Sequence, residues 1–105
     1  MREIKETVTF ENEVLRVIFD RRNPNWLERE SKDDHDYNVL YLKTQERFMN
    51  DLLMARNRLY VNDILEHMNF PRIQEGFSYG WLKEMGDYIK FDIQDMGDRI
   101  VVTIV

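Results

Sequence analysis

One run dominates the chain. From about Tyr37 to Asn57, Leu42, Met49, Leu52, Leu53 and Arg56 recur at three- and four-residue steps, alongside Phe48 and Ala55. That spacing is the period of an α-helix with one apolar stripe. A helix of this length is about 30 Å long. In a chain of 105 residues it must be the spine on which everything else packs. The helix should stop near Asn57, because asparagine tolerates the left-handed conformation that ends helices.

The rest of the composition fits one domain around one core over residues 1–105, since 43% of residues are apolar and 33% charged. Cysteine is absent, which removes disulfides, thiol catalysis and thiolate-held metal sites and points to a reducing, cytoplasmic setting. The opening Met1-Arg2-Glu3-Ile4-Lys5-Glu6-Thr7 is charged and carries no apolar run of signal or membrane length. Neither secretion nor membrane insertion is expected. Charge is uneven: residues 1–60 hold 11 basic and 12 acidic side chains, and residues 61–105 hold 4 and 8. An acidic C-terminal part works against binding nucleic acid, which requires concentrated Lys and Arg.

Before the long helix, Thr9 can cap a first helix, with Glu11 and Glu13 in its opening turn and Arg21 and Arg22 at its end. Asn23-Pro24-Asn25 then stops it. Val14, Leu15, Val17, Ile18 and Phe19 would form its buried face. The alternative is a hairpin turning at Glu11-Asn12-Glu13, favoured by the β-branched residues. The matching end charges favour helix. Residues 23–36 read as a loop tacked down by Trp26, and Asp36 or Asn38 can cap the long helix.

After Leu59-Tyr60-Val61, Asn62 can cap a short helix with Ile64, Leu65 and Met68 buried, ending at Asn69 before Phe70-Pro71. The last third reads as sheet: Phe77 to Leu82, then Tyr88 to Ile93, then Ile100 to Val105, separated by Met85-Gly86-Asp87 and Asp95-Met96-Gly97-Asp98. Two turn signals imply an antiparallel meander. Ile89, Phe91 and Ile93 would face the core, with Tyr88, Lys90 and Asp92 outward. Val101 to Val105 is either a central strand or an edge awaiting a partner. The expected fold class is α+β: one long and two shorter helices on a three- or four-stranded antiparallel sheet formed mainly by the C-terminal third.

Every catalytic constellation has a structural explanation that fits better. Asp33-Asp34-His35-Asp36 concentrates metal-ligating groups, but consecutive loop residues seldom converge on one centre and the spacing matches no ligand pattern. His67 sits alone on the short helix. Ser31 and Ser78, the only serines, lack a nucleophile context. Asp92 and Asp95 could pair across a hairpin end, yet turn chemistry accounts for them. Gly76-xxx-Gly80 is no phosphate loop, and suits a tight turn or close backbone approach. No catalytic residue, cofactor or metal is therefore expected, and the chain is not expected to be an enzyme.

Binding surfaces remain. Phe77, Tyr79 and Trp81 alternate along a strand whose other side carries Ser78, Gly80 and Leu82, an aromatic face open to a protein contact. Arg56, Arg58 and Arg72, with Arg47 nearby, form the one basic patch, unless Glu46, Asp51, Asp63 and Glu75 neutralise it.

The stretch from Leu42 to Val105 resembles a family of small proteins of unknown function from phages, prophages and mobile elements of Gram-positive bacteria. The resemblance rests on Asn50-Asp51-Leu52-Leu53-Met54-Ala55-Arg56, Leu59-Tyr60-Val61-Asn62-Asp63-Ile64-Leu65, Pro71-Arg72, Gly76, Gly80-Trp81 and Asp87-Tyr88-Ile89-Lys90-Phe91-Asp92-Ile93. It departs where Asn57 and Asn69 stand in place of glycine. It implies a mobile-element origin and brings no activity. The expected function is a non-enzymatic interaction or structural module that binds a protein or itself, forming a homo-oligomer through the aromatic strand or the terminal strand. The alternative is a nucleic-acid-linked regulator reading through the Arg56 to Arg72 patch.

Overall fold

The computed structural model describes residues 7–28 and 35–105, with the backbone alone for His35 and Asp36. Strand β1 (Val8–Glu11) turns back into β2 (Val14–Phe19). Helix α1 (His35–Arg56) follows, then β3 (Arg58–Tyr60) and helix α2 (Val61–His67). The chain closes with β4 (Gly80–Leu82), β5 (Phe91–Asp95) and β6 (Ile100–Ile104). Single 3-10 turns occupy Gln74–Phe77 and Lys83–Met85. The class is α+β as expected, with two α-helices rather than three.

The expected first helix is the hairpin β1/β2. Leu15, Val17 and Phe19 are buried while Val14, Arg16 and Ile18 are more open, a period of two rather than 3.6. Thr9 caps nothing and pairs with Arg16 inside the ladder. The turn places Asn12 and Glu13 at φ 52° and 63°. A two-residue hairpin loop with both central residues left-handed matches the twist of its strands.

The main sheet runs β1-β2-β6-β5, antiparallel throughout. Half of it therefore comes from the N-terminal hairpin, not mainly from the last third. The terminal strand β6 is central, flanked by β2 and β5, so it offers no open edge. Its alternate residues Ile100, Val102 and Ile104 are buried. They join Leu15, Val17, Phe19 and Phe91 in one cluster with Leu42, Met49 and Leu53 of α1, Ile64 and Leu65 of α2, and Met68 just after it. Burying each such side chain is worth about 2 kcal/mol.

Of the expected meander only the β5/β6 hairpin forms. β4 leaves the main sheet and pairs with β3 in a separate two-stranded sheet, Arg58 opposite Leu82 and Tyr60 opposite Gly80. Gly80 permits this, because a Cβ there would collide with the Leu59 carbonyl. Ile89 and Phe91 face the core and Tyr88, Lys90 and Asp92 face out, as their alternation implied. The regular strand, however, starts only at Phe91. Asn57 and Asn69 both adopt the expected left-handed conformation, at φ 70° and 62°. Asn62 does not cap α2, which is entered through Tyr60. Its first turn is closed by the Asp63 carboxylate, which accepts the Tyr60 N–H at 2.8 Å.

Candidate interaction surface

Three buried asparagines hold the irregular segments to the helices. Asn38 of α1 accepts the Leu27 N–H and donates to the Leu27 carbonyl, both at 2.9 Å. Asn50 of α1 does the same to Ile89, both at 2.8 Å, and donates its second hydrogen to the Glu46 carbonyl at 3.0 Å. Asn62 of α2 brackets Ile73, both at 2.9 Å. Each side-chain amide thus reads one residue's N–H and C=O as a neighbouring strand would, satisfying groups that are costly to bury unpaired. Asn38 is fully buried in this role and is not the cap of α1. Asn23 anchors its turn by donating to the Met68 carbonyl at 2.8 Å, and Trp26 packs edge-on against Phe19, 5.4 Å between centroids.

These contacts determine which strand edges stay open. Just before β5, Asn50 takes both main-chain groups of Ile89, and on its outer edge Glu46 accepts the Phe91 N–H at 2.6 Å while Ile93, among the described residues, stays open. Beyond β4, Asp87 accepts the Leu82 N–H at 2.8 Å and donates its own to the Leu82 carbonyl at 3.3 Å. Beyond β3, Asp63 takes the Tyr60 N–H. β1 differs. The Ile18 N–H bonds the Thr7 carbonyl at 2.8 Å, so with the register Thr9 opposite Arg16 and Glu11 opposite Val14, Thr7, Thr9 and Glu11 point their main-chain groups at β2. Val8 and Phe10 point theirs outward, and among the described residues nothing bonds to them.

Tyr79 and Trp81 lie near that edge, and Phe77, Tyr79 and Trp81 do not form a single strand face. Phe77 ends a 3-10 turn and is 61% exposed, and Tyr79 is 41% exposed. Trp81 lies on β4, half-buried against the core. Tyr79 meets Phe10 of β1 at 5.1 Å between centroids. Between the two sheets lies a cleft of about 160 Å³ walled by Phe10, Leu15, Val61, Tyr79, Trp81 and Ile104, with Glu13 the only charged side chain lining it. That volume is below the range of small-molecule sites, roughly 300–1,000 Å³, and suits a single side chain.

The basic patch is dispersed. Arg72 pairs with Glu66 of α2, Arg58 donates to the Tyr60 hydroxyl at 3.3 Å, and Arg56 is exposed in the last turn of α1. Glu46 and Asp63, expected beside arginines, hold backbone N–H groups instead. His67 stacks on Phe48 at 4.5 Å on the exposed surface. Asp95 accepts the Gly97 N–H at 2.9 Å, the turn role its position suggested. Asp33 and Asp34, with the side chains of His35 and Asp36, lie outside the described residues; among the described ones no group of three or more His, Cys, Asp or Glu converges as a metal site would require. No described helix is long and apolar enough to cross a membrane.

Among the described residues, Asp20, Arg22 and Tyr41 titrate away from their ordinary values, Arg22 upward through its hydrogen bond with Asp20. Burial alone would raise the Asp20 carboxyl, but hydrogen bonds from the Arg22 side chain and N–H, with the charges of Arg22 and Arg21, outweigh it and hold the carboxyl below 3.8. Burial raises the Tyr41 hydroxyl above 10.0 despite a hydrogen bond with Asn25.

Phe10 and the asparagine brackets escaped the sequence reading. The one available signal was Asn50, which directly follows Met49 on the buried stripe of α1. Residues 1–103 match a family of unknown function (DUF6353), and the chain belongs to that family. The match reaches well toward the N-terminus of residue 42, where the sequence resemblance began. No curated protein and no solved structure matches the chain.

Proposed function

We propose that this member of an uncharacterised family is a non-enzymatic interaction or structural module of a phage or mobile element, working in the cytoplasm by self-association. The observation that carries the reading is a side-chain-sized cleft walled by Phe10, Tyr79 and Trp81, with Tyr79 packed at a tilt against Phe10 and still 41% exposed. Exposed aromatic side chains beside a recess are common anchors of protein contacts. The mobile-element part is supported by the resemblance over residues 42–105, and a gene neighbourhood of capsid, tail, transfer or regulatory genes would strengthen it.

Sedimentation velocity over a wide concentration range tests self-association. The expected result is a concentration-dependent shift from monomer to dimer, weakened about tenfold by Tyr79→Ala, as loss of an aromatic anchor implies. A strict monomer at the highest concentration overturns the reading.

A further inference from the structure

The edge of β1 is the place where a second copy would add. Resting on the self-association reading above, we infer that β1 pairs antiparallel with β1 of a second copy about a two-fold axis through Thr9, giving a continuous eight-stranded sheet. The other edges are each closed in part by a side chain: Glu46 takes the Phe91 N–H of β5, Asp87 the Leu82 N–H of β4 and Asp63 the Tyr60 N–H of β3. Bracketing an edge is how folded proteins keep strands from adding to it. Among the described residues, no such side chain lies on Val8 or Phe10, both outward residues of β1.

The register follows from which groups point outward. Only outward residues can exchange hydrogen bonds across the new seam. Val8 opposite Phe10 of the second copy, and Phe10 opposite its Val8, uses all four outward N–H and C=O groups of these residues in each chain and forms four hydrogen bonds. Sliding the seam two residues either way matches Val8 with Asn12 of the hairpin turn, or Phe10 with residue 6, and loses that closure. In the chosen register Thr9 faces Thr9 of the second copy, a favourable cross-strand pair. Glu11 faces Thr7, so no like charges are opposed.

The side chains agree. Val8 and Phe10 lie on the covered face, and the seam sets each Phe10 beside Val8 of the other copy, next to the Tyr79 ring it already contacts. An antiparallel seam has its two-fold axis perpendicular to the sheet, which leaves the helices of both copies on one side. One strand pair with two aromatic contacts is a small interface, so the dimer is weak.

The absence of cysteine makes the test direct. At a non-hydrogen-bonded antiparallel pair the Cα atoms are about 4.5 Å apart, within disulfide reach. In Thr9→Cys, mild oxidation is therefore expected to cross-link the dimer quickly. In Glu11→Cys the two thiols sit four residues out of register, about 14 Å apart, and should not link. Thr9→Lys puts two ammonium groups face to face on an exposed position and should weaken dimerisation by about five- to tenfold with the melting temperature unchanged.

A dimer by sedimentation that links through Glu11→Cys but not Thr9→Cys, or that ignores Thr9→Lys, overturns the β1 seam while leaving self-association standing. A strict monomer overturns both. A monomer whose β1 amides become protected from exchange when an extended peptide is added also overturns the seam, since the edge would then serve a different strand.

Discussion

The main sheet and the segments that wrap around its helices meet the same requirement, a partner for every buried main-chain group, by different means. Along β2 and β6 five consecutive residue pairs face one another from Leu15 opposite Ile104 to Phe19 opposite Ile100, and each bond is helped by its neighbours. The wrapping segments around Leu27, Ile73 and Ile89 have no such ladder. Each is held by one side-chain amide making two bonds. A ladder shares the loss of any single contact among its rungs, whereas a bracket concentrates it in one residue. Regions held at points should therefore be the ones that single substitutions release.

The sharpest way to break that contrast is Asn50→Ala. It strands the N–H and C=O of buried Ile89, and urea unfolding is expected to report a loss of about 3 kcal/mol, comparable to truncating a core side chain. A loss under about 1 kcal/mol would mean that water or a shifted backbone replaces the bracket, and the contrast with the sheet would collapse.

A smaller effect, about 2 kcal/mol, is expected from Gly76→Ala, because the added methyl would occupy the space of the Asn62 amide. Combining it with Asn62→Ala should cost clearly less than the sum of the two single changes, as both act on one bracket. Strict additivity would show that Gly76 matters for some other reason.

The smallest effect separates charged from neutral attachments. The three brackets are amides and should not respond to acid. Asp20, at the exit of β2, grips the Arg22 guanidinium, the closest contact being 2.7 Å. Its carboxyl is depressed in the folded protein, so its contribution is present above the ordinary carboxylate range and is lost as pH falls through the folded value. With Arg22 largely in water, that contribution is below about 1 kcal/mol. Asp20→Asn should lower stability slightly at neutral pH and converge with the parent in acid; a constant gap across the range would assign the effect to packing.

Much of the regular structure was legible. The period of α1, the left-handed Asn57 and Asn69, and the apolar run that became β6 each state a local preference that the fold keeps. The hairpin was legible only as the alternative to a helix, because Glu13 takes a left-handed conformation that bulky residues seldom adopt, and the charges flanking residues 9–22 imitate helix caps. Turn signals in the last third marked where strands end. They implied the β5/β6 hairpin, but could not say that β4 would leave to pair with β3 or that β2 would flank β6. Asparagine misled for a related reason: Asn38 and Asn62 stand where caps are common, and only the fold shows that their amides look inward. Within the candidate surface Tyr79 and Trp81 were visible as an aromatic group, while Phe10 came from the opposite end of the chain and Phe77 lies off the strand.

The brackets also divide the freedom to mutate unevenly. Each asparagine recognises main-chain atoms, which every residue but proline presents alike. Leu27, exposed, and Ile73, half-buried, can be rewritten with most other side chains while their attachment persists. Drift is open to the gripped residue and closed to the one that grips. A designer wishing to graft a new recognition sequence onto this scaffold would do best to write it across those two positions and leave Asn38 and Asn62 untouched.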